Sequence, residues 1–173
     1  YGGGFAAGIY VDGGRDVVIE NNDVTECDVG MEIGAENAAI TTTGIVVRDN
    51  VIHGNDKAGL GFGGYASYTG RVRDCTFTGN TLYRNDTLGA GFGEIWIQYA
   101  EDNVVANNVV YATAQKKLLV SEYGNVNTAL DYNLWWVDAG AAAALFSWNG
   151  TPYTGFAAYR AGTIELEVVP QGT

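Results

Sequence analysis

Histidine is almost missing from this chain of 173 residues: His53 is the only one. A single imidazole weakens both a zinc-cluster reading and a Ser-His-Asp reading, since each needs His beside specific partners. Cysteine is as scarce, and two residues do not make a disulfide framework. Basic residues are few, 9 against 20 acidic ones, for a net charge of −11 and a pI near 4.2. Nucleic acid and anionic membrane surfaces would repel such a chain. No apolar run reaches the ~18 residues that a membrane-spanning helix needs, so membrane insertion is not expected. Charged residues make up only 17% and hydrophobic ones 47%, which excludes a disordered polymer. The 25 glycines follow no three-residue period, which excludes collagen. An initiator Met and a signal peptide are also lacking; the chain opens Tyr1-Gly2-Gly3-Gly4 and reads as a mature or excised piece of something longer. Its length fits one domain with a sizeable core.

What is present is a repeat. Asn22, Asn50, Asn80, Asn108 and Asn133 are separated by 28, 30, 28 and 25 residues. Each has an apolar residue three positions earlier (Ile19, Val47, Phe77, Val105, Leu130) and another two positions later (Val24, Ile52, Leu82, Val110, Trp135). Between these anchors lies a second motif: Gly8-Ile9-Tyr10-Val11, Gly30-Met31-Glu32-Ile33, Gly59-Leu60-Gly61-Phe62, Glu94-Ile95-Trp96-Ile97 and, less tidily, Lys117-Leu118-Leu119-Val120. Its apolar residues alternate with period two, the strand signal. Each unit therefore holds three short strands divided by turns rich in Gly, Asn and Asp, with no helical periodicity in the repeats. Such units stack into a solenoid, because one coil alone cannot bury its apolar face.

These lines resemble the right-handed parallel β-helix of the pectate-lyase-like superfold over roughly residues 6–136. The resemblance implies three parallel sheets and about five coils. Residues 1–138 are expected to form the coils and 139–173 a capping segment of the same domain. A sandwich of short strands is the alternative fold. The tail Phe146-Ser147-Trp148-Asn149-Gly150-Thr151-Pro152-Tyr153, then Phe156-Ala157-Ala158-Tyr159, resembles a segment that closes many secreted bacterial β-helix proteins. An extracellular location follows from that likeness, as does a place beside further N-terminal coils or domains of a longer protein. The chain departs from the pattern in its last run, Ile164-Glu165-Leu166-Glu167-Val168-Val169-Pro170. Asn149-Gly150 predicts a hairpin over 146–153, and a short helix is expected near 155–161 to cover the last open coil edge.

The anchor asparagines read as an inward ladder, each amide donating to one neighbouring coil and accepting from the other. Asn55 reads as the start of a turn, whose loss should cost less than that of Asn50 or Asn80. Cys75 aligns with Val17 and Ile45 and should point inward, with Cys27 at another corner, too far across the coil for a bridge. His53 falls in a column with Tyr83, Tyr111 and Trp136. Gly59-Leu60-Gly61-Phe62-Gly63-Gly64 lacks the Lys and the following helix of a phosphate loop, and is assigned to strand and turn. Asn85-Asp86-Thr87 and Asn149-Gly150-Thr151 match the glycosylation sequon, a short and unspecific pattern.

Chemistry is expected on the wall formed by the second motif. Alternation places three columns outward: Gly8, Gly30, Gly59, Glu94, Lys117; then Tyr10, Glu32, Gly61, Trp96, Leu119; then Asp12, Gly34, Gly63, Gln98, Ser121. The middle coil gives only glycine, a low floor between polar and aromatic shoulders, and the turns 35–44, 63–71 and 84–93 border it. The family resemblance also puts a glycan groove there. The expected ligand is a poly- or oligosaccharide, with Tyr10, Asp12, Tyr65, Trp96 and Gln98 as binding residues. Glu32 and Glu94 form the candidate catalytic pair, since hydrolysis needs two carboxyl groups ~5–9.5 Å apart. A lyase would need a base such as Arg71, Arg84, Lys116 or Lys117, and in the resembling family Ca2+ held by several Asp; otherwise no metal or cofactor is expected. Hydrolysis fits the wall better than elimination, and a non-catalytic glycan-binding or structural segment is the opposing reading.

Overall fold

The structure, a computed structural model, describes residues 4–163; the first three residues and the run from Ile164 to Pro170 lie outside them. The chain winds through five coils. The first holds β1 (Ala7–Asp12), β2 (Val18–Glu20) and β3 (Asp23–Thr25). The second holds β4 (Val29–Ala35), β5 (Thr41–Thr43), β6 (Val46–Arg48) and β7 (Val51–His53). The third holds β8 (Ala58–Gly64), β9 (Arg71–Arg73), β10 (Thr76–Thr78) and β11 (Thr81–Tyr83). The fourth holds β12 (Ile95–Gln98), β13 (Ala100–Glu101), β14 (Val104–Ala106) and β15 (Val109–Ala112). The fifth holds β16 (Lys117–Ser121), β17 (Ala129–Asp131) and β18 (Leu134–Val137). Like strands of successive coils pair in parallel, giving a right-handed β-helix.

Three of the sheets are those the repeat predicts. The wall sheet runs β1-β4-β8-β12-β16, and two five-stranded sheets run β2-β6-β10-β14-β17 and β3-β7-β11-β15-β18. A fourth, short sheet of β5, β9 and β13 was not legible. Its strands lie between the wall strands and the strands before the anchors, where the repeat predicts no strand and where Thr42, Val72 and Ala100 point to the core. The column Ile19, Val47, Phe77, Val105, Leu130 is paired in register and buried. Stacking of these columns removes apolar surface from water at about 25 cal/mol per Å2, which is what a lone coil could not gain.

The corners have a common backbone recipe. A residue at positive φ precedes the inward one: Asn21, Asp49, Gly79, Asn107 and Tyr132 lead into the five anchor asparagines. Asn, Asp and Gly tolerate that left-handed conformation best, which explains the composition of the turns. The anchor amides form the expected ladder. Asn22 Nδ2 donates to Asn50 Oδ1 at 2.9 Å, Asn50 to Asn80 at 3.0 Å, Asn80 to Asn108 at 3.0 Å and Asn108 to Asn133 at 2.9 Å.

Asn55 corrects the reading of it as a turn residue. It is fully buried in a second ladder at the next corner: its Oδ1 accepts from Cys27 N, and its Nδ2 donates to Asn85 Oδ1 at 2.8 Å. Asn85 is thereby buried too, so the asparagine of the sequon beginning there lies in the interior. The cysteines are both free, Cys75 buried and Cys27 half-buried. His53 stacks on Tyr83 at 4.7 Å, with its Nε2 2.9 Å from Asp23 Oδ1, and the column continues in register through Tyr111 and Trp136.

The end of the solenoid is a hairpin and a helix. β19 (Leu145–Trp148) adds to β16 in parallel, and β20 (Thr151–Thr154) returns antiparallel around Asn149-Gly150. Helix α1 (Phe156–Thr163) follows and lays the buried Tyr159 ring flat on Phe146 at 4.4 Å, closing the core at this end.

Candidate functional site

The wall sheet carries a cleft of about 690 Å3. Tyr10, Glu32, Trp96 and Gln98 project into it from β1, β4 and β12, and Tyr65 reaches it from the turn after β8. Asp12, at the end of β1, sits at the rim: its carboxylate accepts from Glu36 N at 2.9 Å and from Asn37 Nδ2 at 3.4 Å. Five of the sequence-predicted residues therefore line one cavity, with Asp12 holding the loop beside it. Six lining residues are not among those expected from the sequence: Phe5, Ala6, Ala7, Glu36, Gly64 and Phe92. Phe5 and Phe92 come from segments outside the repeat, where alignment between coils has nothing to compare.

The aromatic rings are fixed by their surroundings. Trp96 lies over Gly61, where a Cβ would come within 3.2 Å of its Cε3, and Tyr10 lies over Gly34, where a Cβ would come within 3.3 Å of its Cε2. These glycines thus seat the rings, instead of leaving a bare floor for a ligand. Phe92 meets Trp96 at 4.5 Å and Phe5 at 5.5 Å. Its loop is tied down by Asp86, a buried carboxylate that accepts from Gly91 N and Gly93 N at 3.1 Å. Trp96 Nε1 donates to Glu122 Oε2 at 3.0 Å, which fixes the ring's rotation. Glu122 follows β16 and was hidden by a register error. Trp96 pairs with Val120, not Leu119, and β16 also shifts register against the following strand, β19, between Lys117 and Leu119.

Glu94 is not in the cleft. It is fully buried at the second corner, where Oε1 accepts from Asn85 N at 3.1 Å and from Gln115 Nε2 at 3.0 Å, and Oε2 from Asn85 Nδ2 at 2.6 Å. The expectation of a Glu32–Glu94 pair fails for a geometric reason. Strict alternation breaks where the wall strands begin, so that two successive residues face inward. Leu118 and Leu119 both lie in the core, and Glu94 and Ile95 occupy the equivalent places. In earlier coils the first of those places is glycine because the ladder lies against it. A Cβ on Gly30 would stand 2.7 Å from Asn55 Nδ2, and one on Gly59 2.6 Å from Asn85 Nδ2. The fourth coil has Thr113 five residues after its anchor instead of Asn, and a longer side chain can fill the corner.

Burial pushes the Glu94 carboxyl up to about 8; the Asn85 and Gln115 donors oppose that shift and the neighbouring Asp86 charge adds to it. In the cleft, burial raises Glu32 above the ordinary carboxylate range, assisted by the charges of Glu36 and Asp12. The Tyr10 phenol is also pushed well up, by burial first, then by its hydrogen bond to Glu36 and the charges of Asp12, Glu36 and Glu32. The site is an aromatic cleft with neighbouring carboxyl groups, of which Glu32 is shifted upward.

The four basic residues considered for elimination lie off the cleft lining. Arg71 is bonded to the carbonyls of Thr69 and Gly70 and stands over the Tyr99 ring, and Lys117 Nζ donates to Gly91 O. Among the described residues no group of three or more His, Cys, Asp or Glu side chains could hold a metal ion, so the Ca2+ of the lyase reading has no ready ligand set.

Residues 3–152 match the family model described as the right handed beta helix region. The chain is also 30% identical over 160 residues to a Bacillus subtilis (strain 168) protein described as "Uncharacterized protein YwoF". That match covers 91% of this chain and 34% of the relative, so the chain spans about a third of the relative's length.

Proposed function

We propose, from the premise that this chain belongs to the right-handed β-helix family, that its wall cleft binds a carbohydrate chain outside the cell. One observation carries the reading: Tyr10 and Trp96 present fixed ring planes beside Glu32, Glu36 and Gln98 in a single open cavity. A sugar ring has an apolar face and a fringe of hydroxyls, and is matched by an aromatic plane beside fixed carboxylates and amides. Further coils or domains of a longer protein are the natural neighbours of such a module. Replacing Trp96 with Ala removes the largest plane while leaving the core columns intact. Affinity for oligosaccharides in a mixed panel should drop about tenfold or more, roughly the 1.4 kcal/mol or more expected of a stacked ring. An unchanged affinity would sink the site.

A second reading, hydrolysis, draws support from Glu32 alone. A carboxyl whose hold on its proton is strengthened by burial and by neighbouring charge suits a general acid, and its ionised partner would have to be Glu36 or Asp12. Glu32→Gln should then abolish product release while sparing binding. Turnover surviving that change would leave a binding module.

A further inference from the structure

The cleft carries an imbalance that narrows the carbohydrate reading on which this inference rests. Its lining includes Glu32 and Glu36 and no Lys, Arg or His. Among the described residues, neither glutamate takes part in an ion pair. Lys57 touches the lining from outside: its ammonium lies 4.2 Å from the centre of the Phe5 ring, but is held by Asp28 and the Gly4 carbonyl. Asp12 is bonded to amide N–H groups and adds a third negative charge at the rim.

We propose that the cleft selects a cationic sugar, an oligosaccharide bearing free amino groups, over neutral and uronate chains. An ammonium group is attracted to the faces of Trp and Tyr and to carboxylates, and these are the groups that converge here. Placed among Glu32, Glu36 and Asp12, it would relieve the like-charge repulsion that the half-buried Glu32 experiences. A uronate would deepen that repulsion, and a neutral sugar would leave it as it is. The rings alone do not discriminate, since they stack on any sugar; the charge of the ligand decides.

The test is titration of the intact protein with three tetrasaccharides, of glucosamine, of N-acetylglucosamine and of galacturonate, at mildly acidic pH where the amines are charged. The free-amine chain should bind at least about tenfold more tightly than its acetylated counterpart, with the uronate weakest. Added salt should shrink that ratio, and Glu36→Gln, at an exposed position, should shrink it too. Equal binding of the amine and acetylated chains overturns the charge selection while leaving carbohydrate binding in place. Binding of a simple diamine with none of the three sugars bound overturns both, as does failure of every ligand to bind.

Discussion

The two buried corners of the coil do the same job with different residues. At the first corner five asparagines repeat, and the three inner ones each accept from one neighbour and donate to the other. At the second the column runs Cys27, Asn55, Asn85 and ends on Glu94, a group that arrives from the adjoining strand. The first corner uses one amide throughout because every coil presents the same pair of needs. The second stops early, and its terminal carboxyl accepts from both sides, from Asn85 and from Gln115. An amide passes the hydrogen-bond direction on, whereas Glu94, whose two oxygens accept from Asn85 and Gln115, ends it. The first corner is therefore insensitive to pH, and the second is not.

The largest test of this contrast is pH. The Glu94 carboxyl is raised from an ordinary 4.5 to about 8. The folded state thus holds a proton that the unfolded chain gives up. The associated stability is fully present below the ordinary value and is lost as pH climbs through about 8. The loss across that window is on the order of 5 kcal/mol. Denaturation midpoints of the wild type should fall over this range, and Glu94→Gln should remove most of the fall. Identical pH profiles for the two proteins would show that Glu94 does not titrate as described.

Next in size is Asn85→Ala, which strips the buried carboxyl of the amide at 2.6 Å and leaves Asn55 without its acceptor. A cost of about 3 kcal/mol is expected at neutral pH. The smallest effects come from a graded set. Asn50→Ala and Asn55→Ala should each cost about 2 kcal/mol, since each leaves buried partners unpaired. Asn22→Ala, at the half-buried start of the first ladder, should cost less than about 1 kcal/mol. Chemical denaturation of the three variants reads the order directly. A mild Asn55 variant beside a severe Asn50 one would restore the turn reading of Asn55.

The same contrast explains what the sequence discloses. The first corner was legible because one residue type recurs with apolar companions at fixed offsets. The second was overlooked although Asn55 and Asn85 each lie five residues after an anchor, because Cys27 and Thr113 interrupt the series. The hairpin and α1 were legible from Asn149-Gly150 and the residues after it. In the cleft, Tyr10, Glu32, Trp96 and Gln98 were found by alternation, which holds in the middle of the wall strands. Alternation misplaced Glu94, where the strand bends out of its corner. It could not find Phe5 or Phe92, which belong to no repeat.

Uniform repeats carry a hazard: a chain that looped out one coil while folding could set the wrong asparagines side by side and satisfy each amide. Nothing in the first corner would report the mistake. The second corner would. With the fourth coil looped out, Leu118 would take the place of Glu94 and leave the buried Asn85 N and Nδ2 without the carboxyl that accepts from them. Gln115 would lose the same acceptor. The odd member of the second ladder thus works as a key against misthreading, raising the energy of the shifted stack relative to the native one.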